Sequence, residues 1–439
     1  MKFSLKSYIT IFGDFHLAKS IARHVILSFG LMIILSGCEQ PAEVEDKIVL
    51  PERSFANKAG TVFTPLPHDL FAAPTVTEIK IDVPDSIDAL WGATGRDDSG
   101  KIYFGTSSHG GDYGSAFLYQ YAPETGVMVH QSDVVTELKR NNVYSEGMRQ
   151  NKLHSKFYQA DDGYLYFSSF DEGGEAEGIN PTWGGNLWRK LPNDKHWQHV
   201  FATEEALVAV NTNGRYVYAL GYWDHVLYQY DIKTAKTKKV IVGSTQMHAS
   251  RNFIVDDLGH AYVPKLIVND FNEIEVLLAE YDSQLTLVAT YPLPSYQSDD
   301  YEKHHGIVGY TSMKNSDIYF TSADGGLYHI KPFDKSAKKV QYKGMIHPDG
   351  SAYIASLFSI DGESILVGVS KKKNSKYEWI IYDSNLQQAI SVLMPLKDIK
   401  KPLLYGSLTR DNNGDFYVVG WQKIEGSGHT PLLLKVALD

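Results

Sequence analysis

One short pattern recurs along the whole chain: a turn rich in Asp, Asn and Gly, followed at once by a run of alternating aromatic and aliphatic residues. Asp-Gly and Asn-Gly supply the positive backbone φ angles that a tight hairpin needs, and the alternation is typical of a half-buried strand. The pattern occurs seven times, with turns at residues 97–100, 161–163, 213–214, 256–259, 315–317, 361–362 and 412–414. The chain is therefore predicted to be a series of similar hairpins.

The spacing of these turns lies near the ~40–50 residues of a four-stranded propeller blade. Tyr favours pleated, half-buried surfaces, and the chain has 28 tyrosines among its 439 residues. We therefore expect an all-β fold, a seven-bladed β-propeller that occupies residues 68–439. The alternative is a β-sandwich in which the turns resemble one another by coincidence.

The ends of the chain predict how the ring closes. The last repeat has three strands, near residues 404–409, 415–421 and 431–438, and lacks a fourth. The strand-like segment 76–83 has no local partner. It is predicted to pair with the last repeat, because this closes the ring and removes the exposed sheet edges.

The N-terminus is typical of a targeting segment. An apolar run of 11 residues, Val25–Leu35, follows several basic residues and is shorter than the ~20 residues that span a bilayer. Leu35-Ser36-Gly37-Cys38 then resembles a bacterial lipoprotein signal, so residues 1–38 are predicted to be a signal peptide and Cys38 the lipidated residue. An ordinary signal peptide with a stray Cys is the alternative. Glu39 favours sorting to the outer membrane, and the polar, Pro-containing residues 39–67 are expected to be a flexible tether.

Charge and cysteine content exclude several classes of protein. The formal net charge of -10 argues against nucleic acid as a partner, because general nucleic-acid binding needs a basic face. Cys38 is the only Cys in the sequence, so neither a disulfide framework nor a Cys-based zinc site is expected in the mature domain. Contact with a membrane is expected through the lipid anchor only.

Propeller topology predicts where reactive groups gather. Strands A to D of a blade run from the axis outward, and the B–C loops and the connections to the next A strand open on one face. His154 is expected to begin an A strand, and Arg251 to precede the A strand 252–255. Several other polar and aromatic residues fall in equivalent places. They are His109 and Tyr222, together with five residues that we expect to bind a substrate: Trp223, His225, His248, His304 and His305.

Each of these residues also has an ordinary structural interpretation. A single loop His is usually a solvated polar residue, and Arg251 can form an ion pair with Asp224 or Asp256. Tyr222-Trp223 is a pair that stacks on sugar rings or caps a blade. A metal such as zinc or calcium is an option, since His225, His248, His304 and His305 are nitrogen donors on adjoining blades. Their spacing is not diagnostic, so no cofactor is assigned.

The motif Lys152-Leu153-His154-Ser155, with Asp162-Gly163 and the later Ser250-Arg251-Asn252, resembles the seven-bladed propeller polysaccharide lyases. The most similar are the ulvan lyases of polysaccharide lyase families 24 and 25. The resemblance implies a catalytic site of His109, His154, Arg251 and a tyrosine. Tyr222 fits the position of that tyrosine, with Tyr228 and Tyr230 as alternatives. The cysteine-containing zinc site of that family cannot be built here.

The resemblance implies cleavage of an acidic polysaccharide by β-elimination at a uronic acid. Arg251 would neutralise the carboxylate, a histidine would take the C5 proton, and the tyrosine would protonate the leaving oxygen. The residues that act as base and acid, the polymer, and endo or exo action are left open.

The main alternative is a non-catalytic surface propeller that binds glycans or protein partners. A sialidase-like hydrolase is disfavoured, since its arginine triad and Asp-box repeats are absent from the sequence.

Overall fold

The computed structural model describes residues 61–108, 114–174, 179–222, 225–243, 250–296, 306–373, 375–424 and 428–438, without the side chain of Leu408. Within these residues the chain forms seven antiparallel sheets of four strands each, arranged as a β-propeller. The predicted fold class is thus confirmed.

The strands have the following bounds in chain order. They are β1 (Thr75–Ile79), β2 (Thr94–Arg96), β3 (Ile102–Thr106), β4 (Phe117–Ala122), β5 (Val127–Asp133), β6 (Tyr158–Gln159), β7 (Leu165–Phe170), β8 (Gly185–Lys190), β9 (Gln198–Thr203), β10 (Leu207–Thr212), β11 (Tyr216–Gly221), β12 (Val226–Asp231), β13 (Lys236–Ile241), β14 (Ile254–Val255), β15 (Ala261–Val268), β16 (Ile274–Tyr281), β17 (Leu287–Pro292), β18 (Tyr310–Ser312), β19 (Ile318–Thr321), β20 (Gly326–Ile330), β21 (Val340–Met345), β22 (Tyr353–Ser359), β23 (Ile365–Lys371), β24 (Tyr377–Asp383), β25 (Gln388–Leu393), β26 (Leu403–Arg410), β27 (Phe416–Lys423) and β28 (His429–Ala437).

Six blades are consecutive groups of four strands, from β2–β5 to β22–β25, and the seventh combines β26–β28 with β1. The first strand of each blade lies nearest the axis, since β2 contacts β6 and β26, and β22 contacts β18 and β26. Four of these inner strands are short, since β2 and β18 have three residues each and β6 and β14 have two, whereas β10, β22 and β26 have six to eight. The residues that precede the short strands therefore reach the axis as loops.

The ring closes as the sequence predicts, through a strand from the N-terminal end of the described chain. β1 runs antiparallel to β28, with Thr75 opposite Ala437 and Ile79 opposite Leu433. The strand ends at Ile79, earlier than the predicted 83, because Ile81 and Val83 pack into the core between the last and first blades instead of continuing the ladder.

The repeated turns connect the A and B strands, and one face of the ring, here called the turn face, carries them. Gly occupies a positive-φ position in six of the seven turns; in the fifth turn Ser316 takes φ 69°. Aspartates fix several turns to the strand that follows. Tyr103, for example, donates to Asp97 at 3.1 Å, and Tyr417 donates to Asp411 at 2.9 Å. These hydrogen bonds tie the turns to the strands that follow them.

The core lies between neighbouring blades. Inward-facing apolar residues of the B and C strands pack against the adjoining sheet, as Trp379 of β24 packs against Phe416 of β27 with ring centroids 5.3 Å apart. Trp188 and Trp197 fill the equivalent region around the second blade. This packing holds the blades at fixed angles, so the loops at the axis have a rigid frame.

A short helix, α1 (Val134–Arg140), follows β5 and was not predicted from the sequence. Asp133 caps it by accepting from the Thr136 amide at 2.9 Å, and Val134 and Leu138 are buried. No helix in the described ranges is long and apolar enough to cross a membrane.

The end of the predicted tether contacts the turn face at the axis. The Thr64 amide donates to the Ile360 carbonyl at 2.9 Å. Arg410 donates to the Val62 carbonyl at 2.6 Å and to the Thr64 hydroxyl at 2.8 Å. Burial lowers the pKa of Arg410 to about 10. Residues 62–64 therefore cover the end of the channel on this face.

Candidate functional site

A pocket of about 240 Å³ opens at the axis on the face opposite the turns. Its lining residues lie in or just before the A strands of six blades. We call it the mouth pocket, and define it by Trp91, His154, Lys156, Arg251, Tyr353 and Tyr405. A larger groove of about 480 Å³ lies at the turn face between the first and last blades, lined by turn residues such as Ser99 and Asn412. The mouth pocket is the candidate site because the cationic and imidazole groups meet there.

Arg251 contacts Tyr222, and the sequence predicts that these two residues lie at the same mouth of the ring. The Arg251 Nε donates to the Tyr222 hydroxyl at 2.9 Å, and Nη2 donates to the same oxygen. The guanidinium carbon lies 4.8 Å from the centre of the Tyr222 ring. Tyr222 is only 5% exposed, and its amide donates to the Ala206 carbonyl at 2.9 Å. A buried, backbone-anchored phenol thus orients a half-buried guanidinium at the rim of the pocket.

The backbone around Arg251 is fixed to the next blade. The Ser250 hydroxyl accepts from the Asn252 and Ile307 amides, both at 3.1 Å. The Asn252 side chain donates to the Ile307 carbonyl at 2.9 Å. Since both neighbours of Arg251 are tied in this way, its guanidinium approaches the pocket from a well-defined direction.

His154 forms an aromatic wall with Trp91. The two rings stack with centroids 5.6 Å apart and an interplanar angle of 11°. Tyr405 lies 4.9 Å from Trp91 on another side. The Lys152 ammonium sits 4.4 Å from the Trp91 ring and forms an ion pair with Glu172 at 2.7 Å. Trp91 thus packs against His154, Lys152 and Tyr405, and these contacts fix this wall of the pocket.

His154 does not begin a strand, which corrects the sequence prediction. It lies in a loop, and β6 starts four residues later at Tyr158. The intervening backbone is bonded to the first blade, with the Leu153 amide donating to the Ser107 hydroxyl and the Phe157 amide to the Thr94 carbonyl, each at 3.0 Å. Arg251 likewise lies three residues before β14, whose first residue is Ile254 and not the predicted residue 252.

The inner end of the pocket is closed by two tyrosines from opposite sides of the ring. Tyr158 of the second blade and Tyr310 of the fifth blade share a hydrogen bond between their hydroxyls. Burial raises the pKa of both phenols well above the ordinary value. They separate the mouth pocket from the covered end of the channel at the turn face.

Burial also changes the ionisation of groups that line the pocket. It lowers the pKa of the Lys156 ammonium to about 8 and raises the pKa of Tyr405 to about 12. It raises the pKa of Tyr353 further, although the nearby Arg251 charge opposes this. Lys156 therefore changes its protonation state about one pH unit above neutral.

The other predicted residues either lie away from the mouth pocket or fall outside the described residues. His225 is buried at 1% exposure, with its carbonyl accepting from the Val242 amide, and it does not line the mouth pocket. Of the alternative tyrosines, Tyr228 donates to Glu205 at 3.1 Å and Tyr230 lies beside Arg189, so Tyr222 is the one bonded to Arg251. Six other predicted residues lie outside the described residues: Cys38, His109, Trp223, His248, His304 and His305.

The metal option rests mostly on residues that the structure does not describe. Of the four histidines considered for it, only His225 is described. Among the described residues, no group of three or more His, Cys, Asp or Glu side chains could hold a metal ion. Zinc or calcium therefore stays an untested option.

Sequence reasoning missed four residues of the pocket: Trp91, Lys156, Tyr353 and Tyr405. One local signal was present, because Lys156 follows His154 by two residues. Trp91, Tyr353 and Tyr405 come from blades distant in sequence, and only closure of the ring brings them together.

The comparisons with known proteins agree with the fold. No family model matches the sequence, and no curated protein matches it. A chain in a crystal structure of the mitotic checkpoint complex is similar with a TM-score of 0.51 and 8% identity, over 95% of this chain and 99% of that one. The structure of U3-55K is similar with a TM-score of 0.50 and 10% identity, over 83% of this chain and 98% of that one. At such identities the likeness shows the β-propeller fold alone.

Proposed function

We propose that this protein is a polysaccharide lyase that cleaves a uronic-acid-containing, ulvan-like polysaccharide by β-elimination in the mouth pocket. The observation that carries the proposal is Arg251, fixed by the Tyr222 hydroxyl at the rim of a pocket that also presents His154. These are the three described members of the residue set that the resemblance implies.

The reaction begins with the proton on C5, which is hard to remove because the adjacent carboxylate is already charged. Arg251 pairs with that carboxylate through planar N–H donors and stabilises the additional charge of the enolate-like transition state. The C5–H electrons form the C4=C5 double bond, and the C4–O4 bond breaks. The leaving oxygen then takes up a proton.

His154 and Tyr222 are the described candidates for the two proton transfers. His154 is half-buried beside Trp91, and an imidazole can accept the C5 proton near neutral pH. Tyr222 is 5% exposed and lies behind Arg251, outside the lining of the mouth pocket. Its hydroxyl accepts hydrogen bonds from Arg251, and we assign it the proton transfer to O4 because the resemblance implies a tyrosine in that role. His109 remains a proposed partner in this step from the resemblance.

We place the protein in a bacterial cell envelope, attached by a lipid on Cys38 and sorted to the outer membrane. The supporting features are the apolar run Val25–Leu35 and the Leu35-Ser36-Gly37-Cys38 motif. An enzyme at that surface meets polymers too large to cross the membrane. Its partner is an acidic polysaccharide, and no cofactor is assigned.

An absorbance assay on a panel of uronate polysaccharides tests the proposal. β-Elimination creates a conjugated double bond, so absorbance rises with each cleavage. We expect a rise with at least one polymer and none with the same polymer after its carboxyl groups are reduced to alcohols. Parallel samples with a chelator test the metal option. Binding without any rise in absorbance would favour the non-catalytic glycan-binding propeller instead.

A further inference from the structure

Lys156 differs from the other buried lysines that the structure describes. Lys152 pairs with Glu172 at 2.7 Å, and Lys339 pairs with Glu280 at 2.7 Å. Lys190 donates to the Gln131 side chain at 2.7 Å and to the Asp194 carbonyl at 3.0 Å. Lys156 is 6% exposed, and no carboxylate among the described residues pairs with it.

Among the described residues, none that lines the mouth pocket beside Lys156 supplies a negative charge. The titratable groups that share the pocket with it are His154, Arg251, Tyr353 and Tyr405, and its ammonium lies 5.9 Å from the centre of the Tyr310 ring. The buried tyrosines stay neutral at ordinary pH because burial raises their pKa values. A buried ammonium is costly unless a counter-ion pairs with it, and the part of the chain that the structure describes offers none to Lys156.

We propose that Lys156 is a second anion-binding residue of the mouth pocket, so that the protein recognises its ligand through two acidic groups, one at Arg251 and one at Lys156. The inference rests on the proposed function and narrows its substrate class. The ligand is a stretch of polymer that carries more than one acidic group.

The pH dependence of binding follows from the low pKa of Lys156. In the ligand-free protein this pKa is about 8. A bound anion favours the protonated amine and raises its pKa, so binding takes up a proton once the pH exceeds about 8. Affinity is then greatest below that pH and falls by up to about tenfold per unit above it. Arg251 cannot cause this fall, because an arginine stays protonated throughout the range.

Calorimetric titration with digalacturonate tests the inference, with its dimethyl ester as the uncharged control. Titrations at pH 7 and pH 9, in buffers of different ionisation enthalpy, count the protons taken up. We expect the wild-type protein to bind the diacid, to take up protons at pH 9, and to bind the ester at least about tenfold more weakly at pH 7.

Three variants identify the group responsible. Lys156→Met should weaken binding of the diacid at pH 7 at least about tenfold and abolish the proton uptake at pH 9. Lys156→Arg should keep the affinity and lose only the pH dependence, which also shows that the site folds. His154→Gln should retain the uptake at pH 9.

The outcomes separate the two proposals. Uptake of protons that depends on Lys156, in a protein that cleaves no polymer, would support this inference and reject the lyase. Cleavage by a protein in which Lys156→Met binds like wild type would do the reverse. If Lys156→Met binds the diacid like wild type but loses turnover, Lys156 is the proton acceptor and the anion-binding role is wrong.

Discussion

The two faces of the ring use charged residues in opposite ways. At the turn face several aspartates have their partner inside the same blade: Asp411 accepts from Tyr417, Asp97 from Tyr103 and Asp256 from Tyr262. At the mouth pocket Arg251 and Lys156 lie among aromatic side chains, and neither position has a copy in the other blades. Repeated, internally satisfied groups indicate scaffold, whereas single cations in a pocket indicate a ligand.

The largest effect is expected in the scaffold, at Glu280. Burial opposes its ionisation, but hydrogen bonds from His260, Lys339 and Tyr291 outweigh this and lower the pKa of Glu280 to about 2. Its stabilising effect is therefore present above pH ~4.5 and is lost as the pH falls towards 2. Glu280→Gln leaves a buried lysine unpaired and should lower the free energy of unfolding by about 3–5 kcal/mol at pH 7. Urea unfolding at pH 7 and pH 3 measures both effects. A variant as stable as wild type at pH 7 would contradict this account.

The next largest effect is expected at the opposite face and in turnover. Arg251→Ala should lower kcat/KM on a cleaved uronate polymer about 100–1000-fold, because no guanidinium then stabilises the negative charge of the transition state. Arg251→Lys should recover only part of the rate, since an ammonium cannot pair through two parallel hydrogen bonds. The control is Arg215→Ala, which removes an ion pair with Asp231 away from the pocket. Equal rates for Arg251→Ala and wild type would reject the assignment.

A smaller effect is expected from a single turn of the scaffold. Tyr417→Phe removes the donor to buried Asp411 and should cost about 1–3 kcal/mol of unfolding free energy. Turnover or ligand binding measured on the folded protein should not change. A loss of activity at constant stability would show that the two faces are coupled. It would contradict the view that the turn face serves the scaffold alone.

The smallest effect concerns the one repeated turn in which a serine adopts the positive φ angle. Ser316 has φ 69°, and its hydroxyl is buried without a hydrogen-bond partner among the described atoms. Ser316→Gly should raise the unfolding free energy by at most about 1 kcal/mol. The reverse change, Gly100→Ser, places a Cβ 2.5 Å from the Asn412 side chain and should be destabilising. Thermal unfolding of both variants checks the opposite signs.

The blade number and the closure of the ring were predictable because both depend on local patterns. Asp-Gly turns and alternating runs specify hairpins, and an unpaired strand at one end matches a missing strand at the other. α1 was not predictable in this way, since its seven residues give a periodicity too short to recognise. The A strands were predicted too long for a similar reason. The backbone around His154 forms hydrogen bonds to the neighbouring blade and does not extend its own strand, and no local sequence pattern indicates this.

The site was predictable only in part. Topology placed His154, Tyr222 and Arg251 on the correct face, and two of them prove to be bonded to each other. It could not show that His225 is buried, because burial depends on how the loop folds under its own blade. Topology also could not identify Lys156 as a candidate site residue. Lys156 stands out only because it is buried with no carboxylate paired to it among the described residues.

The joint between β1 and β28 has a consequence for how the chain folds. Val76 pairs with Val436, so the contact that completes the circle joins residues from nearly opposite ends of the domain. Such distant contacts form late and slowly, because the intervening loop must lose its entropy first. During synthesis β1 emerges early, and it stays without its partner until β28 has been made. We therefore expect completion of the ring to be the slowest step of folding, and six folded blades with an unprotected edge to be the intermediate most exposed to aggregation.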